Sequence, residues 1–169
     1  MKIAAVVARI LLLGLFLGSA VAADPALSDA DRQFIEAAHQ LALQEVNASH
    51  LATVKGAAAT VQILAKQMVE DHEAAHQDLE KLAKQLGVAL GAKIDEARAD
   101  KVRTLQKLAG AEFDRQYVSD EITDHTVAIE TFEKAAAATT NAAIKDFATR
   151  RVKAMQKNLQ AARATLSKL

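Results

Sequence analysis

Residues 61–86 read VQILAKQMVEDHEAAHQDLEKLAKQL, and this run sets the fold. Val61, Ala65, Met68, Ala75, Leu79, Leu82 and Leu86 recur at steps of three and four, or their sum, the period of a helical face turned to a core. The run holds no proline or glycine and is rich in strong helix formers. One position on the stripe breaks the pattern. His72 stands where the spacing asks for an apolar side chain, and a titratable group is costly to bury unless it is paired or bound to a metal.

Outward from this run, the same period predicts three more long helices. Residues 29–55 form the first, with Ser28 as N-cap and Asp31 three residues on as a capping-box variant. Its seam carries Phe34, Ala38, Leu41, Glu45, Ala48 and Ala52. The quoted run spans the second, over residues 60–86, with Gly87 placed to end it in the left-handed conformation. Residues 111–138 carry a seam of Val118, Ile122, His125, Ile129, Phe132 and Ala136. Residues 141–167 carry Ile144, Ala148, Arg151, Met155, Asn158 or Leu159, Ala162 and Leu166. A shorter helix over residues 94–108 sits between the second and third long ones. Short connections make hairpins of the first two and last two long helices, and the long connection carries its own helix. The predicted fold is therefore all-α: an up-down four-helix bundle with a short extra helix in the crossover. Asp31-Arg32-Gln33-Phe34-Ile35 is echoed by Asp114-Arg115-Gln116-Tyr117-Val118, so the first hairpin resembles the second.

Composition sets limits on function. The 169 residues are 51% hydrophobic but only 4% aromatic, with one proline and no cysteine. Alanine-, leucine- and lysine-rich sequence of this kind favours helix over sheet. Basic and acidic residues balance at 21 each, so no surplus of positive charge points to nucleic acid. Gly-rich phosphate loops and dinucleotide fingerprints are absent. A cysteine nucleophile is impossible, and the serines have no convincing histidine and acid partners. The sequence thus favours a binding role over an enzymatic one, and names no catalytic residue.

The beginning of the chain reads as a secretory signal over residues 1–22. Lys2 and Arg9 precede an apolar run, Ile10 to Leu17, and Ala20 and Ala22 fit a small-residue cleavage pattern before Ala23. Residues 23–169 are then expected as one exported domain, periplasmic or envelope-associated, without a membrane-spanning segment. With no cysteine there is no disulfide, so stability rests on helix packing or on packing plus a bound ion.

Glu45, His72 and His125 replace apolar residues on three seams, and they lie at similar distances from the turns of their hairpins. With both turns at one end, the three residues and Met155 meet at one level. Three readings fit this layer. The first is a buried hydrogen-bonded network between the acid and the imidazoles. The second is a site for one transition ion, iron, zinc or manganese, with Asp71 and Asp124 orienting the imidazoles from outside. The third is a seam misplaced by one position, leaving some of the three in solvent. Glu36-x-x-His39 and Glu73-x-x-His76 define a secondary candidate layer further from the turns. Against it stands the plainer reading of exposed helical faces, since neither histidine is on a seam. His50 stands alone and is expected at the surface.

At these residues the chain resembles the bacterial family called domain of unknown function 4142. The shared features are the secretory leader, Glu45-Val46, Met68-Val69-Glu70-Asp71-His72, Phe113-Asp114-Arg115-x-Tyr117, Asp124-His125 and Phe132-Glu133-Lys134, over about residues 30–165. The resemblance implies an exported, ferritin-like four-helix bundle with no assigned activity. Members usually carry a further histidine before a leucine in the last helix, where this chain has Asn158-Leu159. Asparagine is the poorer ligand for a transition metal. The wider ferritin-like group builds di-iron sites from Glu on two helices and Glu-x-x-His on the other two. Here the last helix has Asp146 as its sole acid and no histidine, so a full di-iron set is absent. The functional expectation is an exported binding or stress-associated envelope protein with a buried Glu/His/His layer. Two alternatives stand beside it: a transition-metal protein with a redox or storage role, and an envelope scaffold that recognises a protein partner.

Overall fold

The computed structural model describes residues 27–169. The expected signal segment and its cleavage point near Ala23 lie outside the described residues. Five helices follow in order: α1 (Asp29–Lys55), α2 (Ala59–Gln85), α3 (Glu96–Gln106), α4 (Gly110–Ala138) and α5 (Ala142–Leu166). Among the described residues there is no strand. The sequence places α1 at the same bounds and the other four within one or two residues.

Local chemistry sets the helix ends. The Ser28 hydroxyl accepts the Asp31 backbone N–H at 3.1 Å and donates to the Asp31 carboxylate at 2.7 Å. Asp95 caps α3 through the Arg98 N–H at 2.9 Å, and Asn141 caps α5 through the N–H groups of Ala143 and Ile144. Gly87 ends α2 at φ +67°, with Val88 N–H bonded to Ala83 O and Gly87 N–H to Lys84 O. This is a Schellman closure, which a residue without Cβ adopts at no steric cost. The start of α2 has no cap of its own; Asp114 from α4 supplies one in its place. Its carboxylate accepts from the N–H groups of Ala57 and Ala58 at 2.9 and 2.7 Å while 2% exposed.

Each long helix packs on two others: α1 on α2 and α4, and α5 on α2 and α4, with α3 laid across α1 and α4. The apolar interior is divided in two. One cluster gathers Phe34, Ile35, Leu79, Phe132, Ile144 and Phe147; the other gathers Val61, Leu64, Met68, Phe113, Tyr117 and Val118. Along every long helix the side chains pass from one cluster to the other. Glu45 marks the change on α1, His72 on α2, Glu121 and His125 on α4, and Asn158 on α5. A polar layer therefore separates two greasy halves.

Candidate metal centre

Glu45, His72, Glu121 and His125 are 2–4% exposed. Each offers one ligating atom, and these four atoms lie within 4.8 Å of one another. The reading that placed some of this layer in solvent is thereby overturned for Glu45, His72 and His125. Glu121 is the member that the seam assignment missed. On α4 the buried stripe runs Val118, Glu121, His125, Ala128 and Phe132, while Ile122 and Ile129 are only half-buried. Choosing the apolar Ile122 over its neighbour rotated the seam by one residue. The Glu121-x-x-x-His125 spacing, one helical turn, was the available signal.

The imidazole orientation has a physical cause. Nδ1 of His125 lies 2.8 Å from the backbone carbonyl of Glu121. A carbonyl only accepts, so the proton sits on Nδ1, which also lies 3.5 Å from the Glu121 carboxylate, and Nε2 is left with its lone pair unused. Nε2 of His72 lies 3.8 Å from the Glu45 carboxylate, beyond hydrogen-bonding distance. Nε2 of both histidines and one oxygen of Glu121 are buried with no hydrogen-bond partner. Buried polar atoms are almost always paired, so these orphans in one layer, together with Asn158 Nδ2 on α5, call for an explanation. The hydrogen-bonded network expected as one reading is not closed by this geometry.

Electrostatics point the same way. Burial, then the neighbouring Glu121 and Asp124 charges, pushes the Glu45 carboxyl well above the usual range. Burial raises Glu121 to about 8. The His72 imidazole is held well below its ordinary value by burial, then by His125 and Arg151, and burial also lowers His125. Near neutral pH the histidines are therefore uncharged, and the Glu121 carboxyl retains a proton that a cation can displace.

The surrounding residues divide by role. Asp124 bonds no imidazole; it accepts from Gln44 Nε2 at 2.6 Å and from Lys101 Nζ at 2.5 Å. The same Gln44 nitrogen reaches Glu45 at 3.4 Å, so Asp124 steadies the cluster through a carboxylate rather than through a histidine. Asp71 is half-buried and, among the described residues, hydrogen-bonds neither imidazole. The secondary layer assembles only in part. His39, 4% exposed, stacks on His76, with the His76 Nε2 to His39 Nδ1 distance at 3.1 Å. His39 Nε2 meets the Gly91 carbonyl at 2.7 Å, so this pair ties the crossover to α1. The expectation that both histidines lie on exposed faces is corrected: His39 is buried and His76 half-buried. Neither acid joins them: Glu36 accepts from Gln40, and Glu73 pairs with the exposed His50 at 3.0 Å.

The pattern of the family described as Domain of unknown function (DUF4142) matches residues 17–165. Among solved structures, the chain is similar to one titled "Crystal structure of DUF305 fragment from Deinococcus radiodurans". The TM-score is 0.76 and the identity 18%, over 86% of this chain and all of that one. At that identity the likeness shows a shared helical fold. No curated protein matches.

Proposed function

Because the chain belongs to the DUF4142 family, whose description assigns no activity, we propose a function from the site itself: a transition-metal-binding protein that holds one divalent ion between Glu45, His72, Glu121 and His125. The observation that carries this reading is the gathering of one ligating atom from each of Glu45, His72, Glu121 and His125 within 4.8 Å, in a buried layer where His72 Nε2, His125 Nε2 and a Glu121 oxygen have no hydrogen-bond partner. Two imidazoles and two carboxylates, with no thiolate, suit zinc, ferrous iron or manganese. Two glutamates would neutralise the ion's charge in a dry interior, where an uncompensated charge is prohibitive. The finer architecture belongs to the same proposal. The packing order of the long helices supports a ferritin-like, up-down four-helix bundle with α3 in its crossover, in which α1, α2 and α4 supply ligands and α5 supplies none.

We also take the chain to be exported, on the strength of the leader pattern at residues 1–22. Among the described residues no helix is long and apolar enough to cross a membrane. Elemental analysis of protein loaded with each of the three ions and then desalted tests the metal reading. One equivalent of an ion is expected in the wild type, and none in a His72→Ala, His125→Ala variant. Wild-type protein that retains no ion, and melts at the same temperature with and without it, would overturn the proposal.

A further inference from the structure

A fully buried site needs a route by which an ion reaches it. Between α1, α3 and α4 lies a cavity of about 10 Å³, room for about one water molecule. Its inner wall includes Glu45 and Glu121, two of the four cluster residues, and its outer wall includes Asp120, Asp124 and Lys101. The Glu121 oxygen without a partner belongs to a residue that is 2% exposed and lines this space. Lys101 reaches the outer wall from α3. Its ammonium lies 2.5 Å from Asp124 and 3.9 Å from Asp120, with its side chain one-third exposed. From there an unbroken chain of polar contacts leads inward, from Asp124 to Gln44 at 2.6 Å and from Gln44 to Glu45 at 3.4 Å.

We propose that Asp120 and Asp124 form an outer site for a divalent cation, in which the Lys101 ammonium stands where the incoming ion binds before it passes to Glu45 and Glu121. The inference rests on the metal reading above and names how that site is filled. The two carboxylates give the mouth a negative potential that draws cations from solution. The ammonium satisfies those carboxylates when no ion is passing. Displacing it exposes the water-sized space behind it, and the next oxygens inward are the ligands themselves. α3 is suited to such movement: Leu105 is its sole buried residue, so little apolar area is lost when it shifts. Arg98, one turn before Lys101, holds Gln44 from outside at 3.0 Å and so belongs to the same clasp.

The test is the rate of Co²⁺ uptake, followed by visible absorption in a stopped-flow instrument, together with the rate of Co²⁺ release to excess chelator. Lys101→Met is expected to speed both by about tenfold, because the ammonium obstructs travel in either direction. Asp120→Asn is expected to slow uptake by a similar factor. Lowering an obstruction speeds uptake and release by the same factor and leaves the equilibrium constant unchanged, whereas a change in affinity alters their ratio, which separates a route from a ligand. Arg150→Met removes a positive charge from the exposed face of α5 and is expected to leave both rates within twofold of wild type. The inference is overturned if Lys101→Met loads and releases at the wild-type rate, or if Arg150→Met accelerates loading equally. Wild-type protein that takes up no Co²⁺ at equilibrium would overturn the metal reading beneath it; unchanged rates with full uptake would overturn the route alone.

Discussion

Glu121 shows most directly what the buried layer costs and what it can do. Its carboxyl, raised by burial to about 8 from an ordinary value of 4.5, keeps its proton in the metal-free protein at neutral pH. The unfolded chain releases that proton above about pH 4.5, so the folded state binds more protons through the window from 4.5 to 8, and stability falls as pH rises across it. His72 and His125 act oppositely. Their lowered values mean that the unfolded chain is the more protonated just below 6.5, and this contribution ends once the unfolded imidazoles are neutral. Between about pH 6.5 and 8 the carboxyl contribution therefore dominates. Metal-free protein is expected to lose about 1.4 kcal/mol per pH unit for each retained proton, as measured by urea unfolding across that range. With an ion bound, the carboxylates are already ionised and the slope is expected to vanish or reverse. A flat profile for the metal-free protein would contradict the protonated-carboxyl assignment.

The same residue tests the ligand set. Glu121→Gln keeps the shape and removes the charge. It is expected to weaken metal binding by more than about 100-fold, since loss of an outer partner alone costs 10- to 100-fold. Titration calorimetry in two buffers of different ionisation enthalpy would measure both the affinity and the protons released on binding. Glu45, His72 and His125 are legible in the sequence because each interrupts an apolar stripe. Glu121 is not, because Ile122 beside it offers the apolar residue that the pattern demands.

At the scale of the elements, the turn between α1 and α2 depends on a side chain from another helix. Asp114 of α4 accepts the N–H groups of Ala57 and Ala58, which nothing in α2's own sequence caps. Asp114→Ala is expected to cost about 2–3 kcal/mol in thermal or urea unfolding, because it leaves two backbone donors without their charged acceptor. Asp114→Asn should recover part of that loss through its remaining oxygen. A neutral outcome for the alanine variant would mean that water replaces the carboxylate without penalty. Here the structure gives a reason for one aspartate of the Phe113-Asp114-Arg115 motif that the sequence identified only by resemblance. The secondary His39 and His76 pair is likewise an element-scale feature: it pins the crossover against α1 through Gly91.

Across the whole molecule, two apolar clusters flank one polar layer, and an ion bound there would stabilise the folded chain by mass action. At a free ion concentration about 1,000 times the dissociation constant, the gain is about 4 kcal/mol. For a domain of this size that corresponds to a rise of roughly 10 °C in Tm. Differential scanning calorimetry should show the rise with the bound ion and its loss on adding chelator. The His72→Ala, His125→Ala variant should show neither change.

Helix number, helix bounds and the inward faces of α1 and α2 are written in the local pattern, because a period of 3.6 residues and the chemistry of caps act over a few neighbours. The all-helical class and the burial of Glu45, His72 and His125 follow from that pattern. Helix partners were another matter. That Asp114 caps a distant turn, that Lys101 and Gln44 meet Asp124, and that Glu121 rather than Ile122 turns inward were decided by packing. Contacts between helices depend on how rigid rods rotate and settle to fill a shared core, and no single segment carries that information.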